Sequence, residues 1–387
     1  MAARGVSQVE VVAVARRRER RQFLALPERL YADDPHWVAP LRWEQHRRLF
    51  GANPLFHHAE CQAFLALRAG RTVGRITAQL DRLYEAVHGR KVGFFGMFEA
   101  EDDPAVAAAL FAAAEGWLAA RGAVEVQGPF NLSINEEVGL LVAGFDSPPF
   151  VLMGHGRPWY PRLVEAAGYR PAKDLLTYVV RPDFEAPPAM RRLLARQGRA
   201  LRVRPLDRRR RAAEFELLRE LFNDAWAENW GFVPFTREEF AEVAALFGAL
   251  LDDHNVQIAE LDGVPAAFIA VLPNVNEAAR DLRGRLLPWG WAKLLWRLKV
   301  RRPRSYRVPL MGVRRAHHDS PLGAALAFAV IDAVRQPLVR LGVERVELGW
   351  ILEDNRGMRD IIAAIGGVEY KRYRIYRKPL PPRAADA

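Results

Sequence analysis

The chain of 387 residues has a single cysteine, Cys61, so it can form no internal disulfide, which fits a reducing compartment. Neither a CxxC nor an HExxH pattern occurs, and no metal site is expected. The N-terminus lacks the apolar stretch of a signal peptide, and no uninterrupted apolar run of about 20 residues is present. These absences predict a cytoplasmic protein. Acidic residues are in deficit, with 46 Asp and Glu against 57 Lys and Arg and a net charge of +11. Such an excess favours a polyanionic partner: nucleic acid, an anionic membrane surface or a phosphate-bearing substrate. There is no zinc finger, RRM signature or recognition helix, and arginine is spread along the chain, so nucleic acid fits worst.

Half of the residues are hydrophobic, as in a packed globular chain, and the length suits two domains of ordinary size. One unit occurs twice. Asp103-Pro104 opens an apolar helical stretch ending at Gly122, and the strand-like Val124–Val126 follows. Ser320-Pro321 opens a second stretch ending at Gly342, and Arg345–Leu348 follows. Each helix has an N-cap residue, proline at its first position and glycine just past its end. Hairpins predicted around Ala69-Gly70-Arg71 and Asp262-Gly263 come before the two helices. Thr236 and Glu239 predict a capping box on a helix running to Leu251. The order β-α-α-β-β-β-α-β-α-β is read clearly in the second half and in altered form in the first. The expectation is an α/β (α+β) protein with domains 1–185 and 201–387, a linker 186–200 and an insertion 276–304 in the second domain.

This order resembles the GNAT fold of acyl-CoA-dependent N-acyltransferases. Gly128–Glu137, Gly144–Pro149, Lys173–Leu175, Asn229–Phe232 and Trp350–Asn355 resemble segments of a bacterial family of tandem GNAT-like proteins, over most of the chain. More loosely, the chain is similar to bacterial ceramide synthases, GNAT-type enzymes that put a long acyl chain on a sphingoid amine. The resemblance implies two tandem GNAT-like domains, the first degenerate. It also implies transfer of an acyl group from acyl-CoA, as co-substrate, to an amine acceptor; an acyl carrier protein is the other donor. A non-catalytic GNAT-fold module that binds lipid or protein is the rival reading.

In GNAT proteins a Gln/Arg-x-x-Gly-x-Gly/Ala loop opens the helix after the fourth strand and holds the pyrophosphate of coenzyme A. The matching span here is His318-Asp319-Ser320-Pro321-Leu322-Gly323, in which Pro321 removes one N–H donor and Asp319 adds negative charge. Val313, Arg314, Arg315, His318, Ser320, Leu322, Gly323 and Asn355 are the candidate coenzyme-binding residues, Asn355 doubling as a helix cap. A well-capped structural helix is the alternative. In the first copy Glu99, Glu101, Asp102 and Asp103 occupy the loop and would repel a pyrophosphate.

Glu347 sits in the middle of a strand pattern predicted to be central, Arg345–Ile351, where a carboxylate must be paired or shifted in pKa. It is the first candidate for general base, with Glu353 second, and an ion pair with a basic neighbour is the bland alternative. The tyrosine that serves many GNAT enzymes as general acid is replaced by Ile362. Tyr370, Tyr373 and Tyr376 on the last strand are the substitutes, with water as a further proton source.

Asn131, Asn135 and Glu136 lie in a polar loop after a core strand, and Trp226, Asn229 and Trp230 lie between two helices of the second copy. Both groups are candidate acceptor-binding residues. A loop bonding its own backbone and ordinary core packing account for them equally well. In the insertion, Trp291, Leu294, Leu295 and Leu298 share one helical face, with Lys293, Arg297, Arg301 and Arg302 beside it. Tryptophan and basic residues around an apolar face describe an interfacial helix, which would attach residues 285–304 to the anionic inner membrane. A helix docked on its own protein has the same pattern.

Overall fold

The computed structural model describes residues 8–197, 200–248 and 252–381. Residues 198 and 199 of the expected linker, and the end of the helix expected to reach Leu251, lie outside them. The first half runs β1 (Val9–Ala13), α1 (Arg17–Leu30), α2 (Arg42–Phe50), β2 (Ala59–Arg68), β3 (Arg71–Asp81), α3 (Arg82–His88), β4 (Val92–Ala100), α4 (Pro104–Ala119), β5 (Glu125–Gly128), β6 (Leu140–Ala143), α5 (Tyr160–Ala166) and β7 (Arg170–Val180). Helix α6 (Pro188–Gln197) occupies most of the linker and packs against α11 below, burying Met190. The second half runs β8 (Leu201–Pro205), α7 (Arg211–Trp226), α8 (Arg237–Gly248), β9 (Val256–Leu261), β10 (Val264–Pro273), α9 (Val275–Ala279), α10 (Gly290–Trp296), β11 (Ser305–Val313), α11 (Pro321–Arg340), β12 (Arg345–Leu352), α12 (Arg356–Ala364) and β13 (Val368–Pro379). The duplicated order is therefore present in full.

Local chemistry sets these boundaries. Asp103 accepts the Ala105 N–H and Ser320 accepts the Gly323 N–H, each ahead of a proline at the first helical position. Thr236 and Glu239 close a capping box at 3.0 and 3.2 Å. Helix α4 buries Val106, Leu110, Phe111, Ala114 and Leu118 on its sheet, each large side chain contributing roughly 1.5–3 kcal/mol. It can lie close because β3 carries Gly74, where a Cβ would stand 2.7 Å from the Leu110 side chain. Helix α11 is long and apolar enough to span a membrane, yet Ala325, Leu326, Val330 and Val334 are buried against the second-half sheet.

These thirteen strands form one sheet, in the order β1-β2-β3-β4-β5-β13-β7-β12-β11-β10-β9-β8, with β6 on the side of β13, and the short strands Phe130–Asn131 and Glu137–Val138 pair with each other apart from it. Each half has an antiparallel run ending in one parallel pair, β4 with β5 and β11 with β12. The last strands then cross over. β13, from the second half, pairs with β5 of the first (Tyr376 opposite Gly128), and β7, from the first half, pairs with β12 of the second (Val179 opposite Glu347). β7 and β13 pair with each other in the centre. Neither half completes its own sheet.

The first copy's acidic loop is consumed internally. Glu99 is mostly buried, its side chain 13% exposed, and accepts the hydroxyls of Tyr31 and Tyr160 at 2.8 and 2.5 Å. Trp159, beside it, donates to the Ala100 carbonyl at 3.2 Å. Glu101 pairs with Arg29 and Arg71, and Asp103 pairs with Arg68. Aromatic side chains and arginines fill the place a pyrophosphate would need, so the first copy is degenerate.

Because the halves share their central strands, the chain should unfold in one calorimetric transition; two resolved transitions would contradict this topology. His58 bridges the halves. Its ring is 2.8 Å from Asp81 and 3.5 Å from Glu239 of α8, and the Asp81 hydrogen bond leads in raising its pKa to about 9. A raised histidine stabilises the fold fully below its ordinary value near ~6.5 and loses that contribution as pH rises through the folded value. Stability of the wild type should therefore fall between pH 7 and 9.5 relative to His58→Ala, read by urea denaturation.

Candidate functional site

β11 and β12 pair only from Ser305 to Val308 and from Arg345 to Leu348. On its other side β11 bulges, because Arg307 faces Leu272 while Leu310 faces Ala270, leaving two residues against Val271. The strands fork beyond this point, and a cavity of about 950 Å³ lies in the fork. Its walls include Trp226, Asn229, Trp230, Trp350 and Asn355, with the α11 side of β11 and the start of α11. The Arg314 N–H donates across to the Ala266 carbonyl, so by strand alternation Met311 and Val313 turn their backbone groups toward the fork. The Met311 carbonyl there accepts the Trp226 indole N–H at 3.0 Å.

The start of α11 is tightly folded. Ser320 Oγ accepts the Gly323 N–H at 3.0 Å and donates to the His317 carbonyl at 2.7 Å. A Cβ on Gly323 would stand 2.1 Å from that carbonyl, so glycine serves the loop's own packing. Leu322 packs its side chain against the core. His317, His318 and Arg356 line the cavity, with the His318 ring 2.7 Å from the Val313 carbonyl, and Arg356 and Arg335 share its walls with the carboxylates of Glu228, Asp319, Asp354 and Asp360. Arg314 and Arg315 turn away from it. Arg314 donates to the Pro265 carbonyl, and Arg315 pairs with Asp224 and Glu228. Asn355 caps α12 by accepting the Met358 N–H.

A second cavity, of about 210 Å³, lies on the opposite face of the sheet. Side chains alternate across β10: Ala267 and Ile269 pack with α11, whereas Phe268 and Ala270 face this second cavity. Its walls are mostly apolar, including Leu218, Phe222, Phe235, Phe240, Val243 and Leu272. One side is polar and comes from the first half: Glu44, Arg48, Ser133, Asn135, Glu136 and Glu137. Glu136 pairs with Arg48, and burial pushes its carboxyl up to about 7. Asn135 reaches across to the Val233 carbonyl at 3.0 Å. Asn131 is outside the cavity, accepting the Met97 N–H and donating to Glu137. Trp226, Pro309 and Trp350 are walls of both cavities.

Glu347 is fully buried at the base of the fork. Its carboxylate is 3.1 Å from Arg307 Nε and accepts the Tyr370 hydroxyl. Burial raises it to about 7 against the opposing pull of Arg307 and Tyr370. Arg307 is held by the carbonyls of Val151 and Gly349, each at 2.9 Å, and is itself a wall of the smaller cavity. Lys371, nearby and also buried, is lowered to about 8 by burial and donates to the carbonyls of Gly144 and Ser147. Glu353 is exposed, beside Lys173. Tyr373 is fully buried away from both cavities and donates to the Gly154 carbonyl at 2.9 Å. Sequence reasoning passed over Arg307, although an arginine within a strand pattern carries the same signal as Glu347. It also passed over Glu44, Arg48 and Arg356, which nothing in the linear pattern distinguishes. Among the described residues, no group of three or more His, Cys, Asp or Glu is placed to hold a metal ion.

Two relatives match almost end to end. The bacterial ceramide synthase of Caulobacter vibrioides (strain NA1000 / CB15N) is 48% identical over 377 residues, covering 97% of this chain and 98% of that protein. Protein YghO of Escherichia coli (strain K12) is 47% identical over 361 residues, 93% of each chain. The chain belongs to the family of these two proteins. No family model matches it. Among solved structures, a tandem GNAT protein from the clavulanic acid biosynthesis pathway superposes with a TM-score of 0.57 at 16% identity, covering 97% of this chain and 99% of that one. A GCN5-related N-acetyltransferase from Sphaerobacter thermophilus gives 0.53 at 16% identity, covering 96% and 95%. The fold is that of tandem GNAT proteins, and a GNAT-type acyltransferase is what this fold and family support.

Arg307→Met leaves the Glu347 carboxylate buried without its cation and should cost about 3–5 kcal/mol. Replacing both, as Arg307→Met with Glu347→Leu, should recover most of that loss in urea denaturation. An additive loss would show that the two do not form a pair.

Proposed function

We propose that this protein is an acyl-CoA-dependent N-acyltransferase whose acceptor is a long-chain or lipid amine, as in ceramide-type N-acylation. The observation that carries the proposal is the shared wall of Trp226, Pro309 and Trp350, which brings the forked cleft and the carboxylate-bearing apolar cavity together at one point. The cleft fits coenzyme A. Val313, His318, Ser320, Gly323, Asn355 and Arg356 would hold it, and the backbone of β11 would polarise the thioester carbonyl. The cavity fits the acceptor, with its tail among the α7 and α8 side chains and its head beside Asn135 and Glu136. Asn229 and Trp230 close the cleft.

The amine nitrogen, freed of its ammonium proton, attacks the thioester carbon and a C–N bond forms; the adduct nitrogen gives its second proton to water, the C–S bond breaks, and the coenzyme leaves as a thiolate that takes a proton from water. Glu347 is the proposed base for the ammonium proton. Arg307 stands between it and the cavity, so the proton reaches it through water. Tyr373 has no part in this scheme, and Glu353 is too far along the strand's exposed end to precede Glu347. The insertion supports work at a membrane surface on the cytoplasmic side. Trp289, Trp291, Leu295, Trp296 and Val300 are exposed, while Leu298, expected on the outer apolar face, is buried and anchors the segment.

One observation favours the cofactor-free reading, a lipid- or protein-binding module: Ser320 already takes the Gly323 N–H, and Pro321 has none to give. Calorimetry with coenzyme A separates the two readings. Micromolar binding that weakens several-fold in Arg356→Ala supports the enzyme, and no binding supports the module. With a long-chain acyl-CoA and sphinganine, thiol release should rise with pH through about 7, as Glu347 loses its proton. Glu347→Gln should lose turnover by at least ~10²-fold while keeping coenzyme binding. Normal turnover in that variant would remove Glu347 as base.

A further inference from the structure

The smaller cavity has its own way out, and it leads to the apolar surface of the insertion. Of the residues lining it, Leu246 is 39% exposed, and Arg47 and Glu242 also reach solvent as a salt bridge across the gap between α2 and α8. These three mark the mouth. Trp43, one turn before Arg47 on α2, is 63% exposed, with the Arg47 guanidinium over its ring at 5.6 Å.

The insertion is fastened beside both elements that frame this mouth. At α2, the Arg42 N–H donates to the Gly284 carbonyl at 3.2 Å. Gly284 has a positive φ, and a Cβ there would stand 2.4 Å from the Pro40 carbonyl, so the two segments touch by their backbones. On the α8 side, Asp252 lies 3.8 Å from Lys299 and 3.9 Å from Arg302. The insertion, fastened at the start of α2 and at the loop after α8, carries exposed Leu287, Trp289, Trp291, Leu295, Trp296 and Val300, and Trp43 and Leu246 are exposed on α2 and α8 themselves. Single exposed apolar residues need no explanation, but four exposed tryptophans on α2 and on the insertion fastened to it mark an interaction surface. The insertion adds Lys293, Arg297, Lys299, Arg301 and Arg302; Asp281 and the neighbouring Asp252 pair with four of these five, but the segment keeps a net positive charge, and the chain as a whole is +11. Interfacial tryptophans with basic neighbours match the headgroup layer of an anionic bilayer, which suits neither a neutral protein surface nor water.

We propose that the mouth between α2 and α8 docks on an anionic bilayer, and that the lipid amine enters the cavity sideways from that bilayer without crossing water. The coenzyme approaches independently from the α11 face. The polar wall from the first half, Glu44, Glu136 and Glu137 around Arg48, then meets the amine end of the lipid, and the apolar walls of α7 and α8 meet its chain. Opening the route requires the Arg47–Glu242 bridge to part. The inference rests on the acceptor reading given above for its cargo, but the docking surface stands without it.

The test uses the full chain and phosphatidylcholine vesicles with and without phosphatidylglycerol, read by co-sedimentation. Wild-type protein should bind the anionic vesicles, and Trp43→Ser and the triple variant Trp289→Ser, Trp291→Ser, Trp296→Ser should each weaken binding by roughly tenfold or more. Melting temperature should be unchanged in both, as they alter only exposed side chains. Loss in the triple variant with none in Trp43→Ser would overturn the proposal, since the insertion would then dock away from the mouth. No vesicle binding by the wild type would overturn it too. A second variant, Arg47→Cys with Glu242→Cys in a Cys61→Ala background because Cys61 is only half-buried, is bridged by a short bifunctional thiol cross-linker. Bridging should abolish uptake of a vesicle-borne fluorescent long-chain amine, and reduction of a cleavable linker should restore it. Uptake unaffected by bridging would overturn the route. A wild type that takes up the amine at this mouth but releases no thiol would sink the acyltransferase reading and leave this one standing.

Discussion

The site depends on one constraint, the crossing of the last two strands. Had β7 stayed beside β5 and β13 beside β12, each half would have closed on itself. Instead, β13 must run through the first half and β7 through the second. The irregular segment between β5 and β7 is thereby drawn over the second half's smaller cavity. Val151 comes to hold Arg307, Gly144 and Ser147 come to hold Lys371, and Asn135 reaches Val233. The polar wall of the cavity is thus first-half sequence, placed by second-half strands.

This division explains how a duplicated unit supports one site. The first copy's fork is closed by Tyr31, Tyr160 and Trp159, bonded to Glu99 and Ala100. Freed from binding a ligand, it supplies a rigid sheet and a lining loop. The second copy keeps its fork open because Pro309 and the β11 bulge prevent full pairing with β12. At the base of that opening the structure holds a buried ion pair, which is costly in isolation and is sustained here by carbonyl and hydroxyl partners. A carboxyl kept near neutrality by burial is suited to taking up a proton at physiological pH.

Much of this was legible in the chain. Caps, prolines and glycines announced both helices, and hairpin turns announced the strand pairs, because these are local rules. Glu347 stood out because a lone carboxylate in a strand pattern needs a reason. What local rules could not show was partnership. Tyr370 and Tyr373 are three residues apart on the same strand, yet only the first meets Glu347, because of which strand lies beside β13. Arg314 and Arg315 looked like phosphate ligands by position, but carbonyl and carboxylate neighbours claim them. Leu298 looked like part of an outer face, and the short helix and altered turn after Trp296 rotate it inward. In each case tertiary pairing decided what sequence spacing left open.

The account's central claim is that two substrates meet at Trp226, Pro309 and Trp350 and leave joined by an amide. Mass spectrometry after incubation with palmitoyl-CoA and sphinganine in anionic vesicles tests it most directly. The account predicts one N-acyl product in equal amount to free coenzyme A. Free fatty acid in place of the amide, or no release of coenzyme A with any amine, would contradict it.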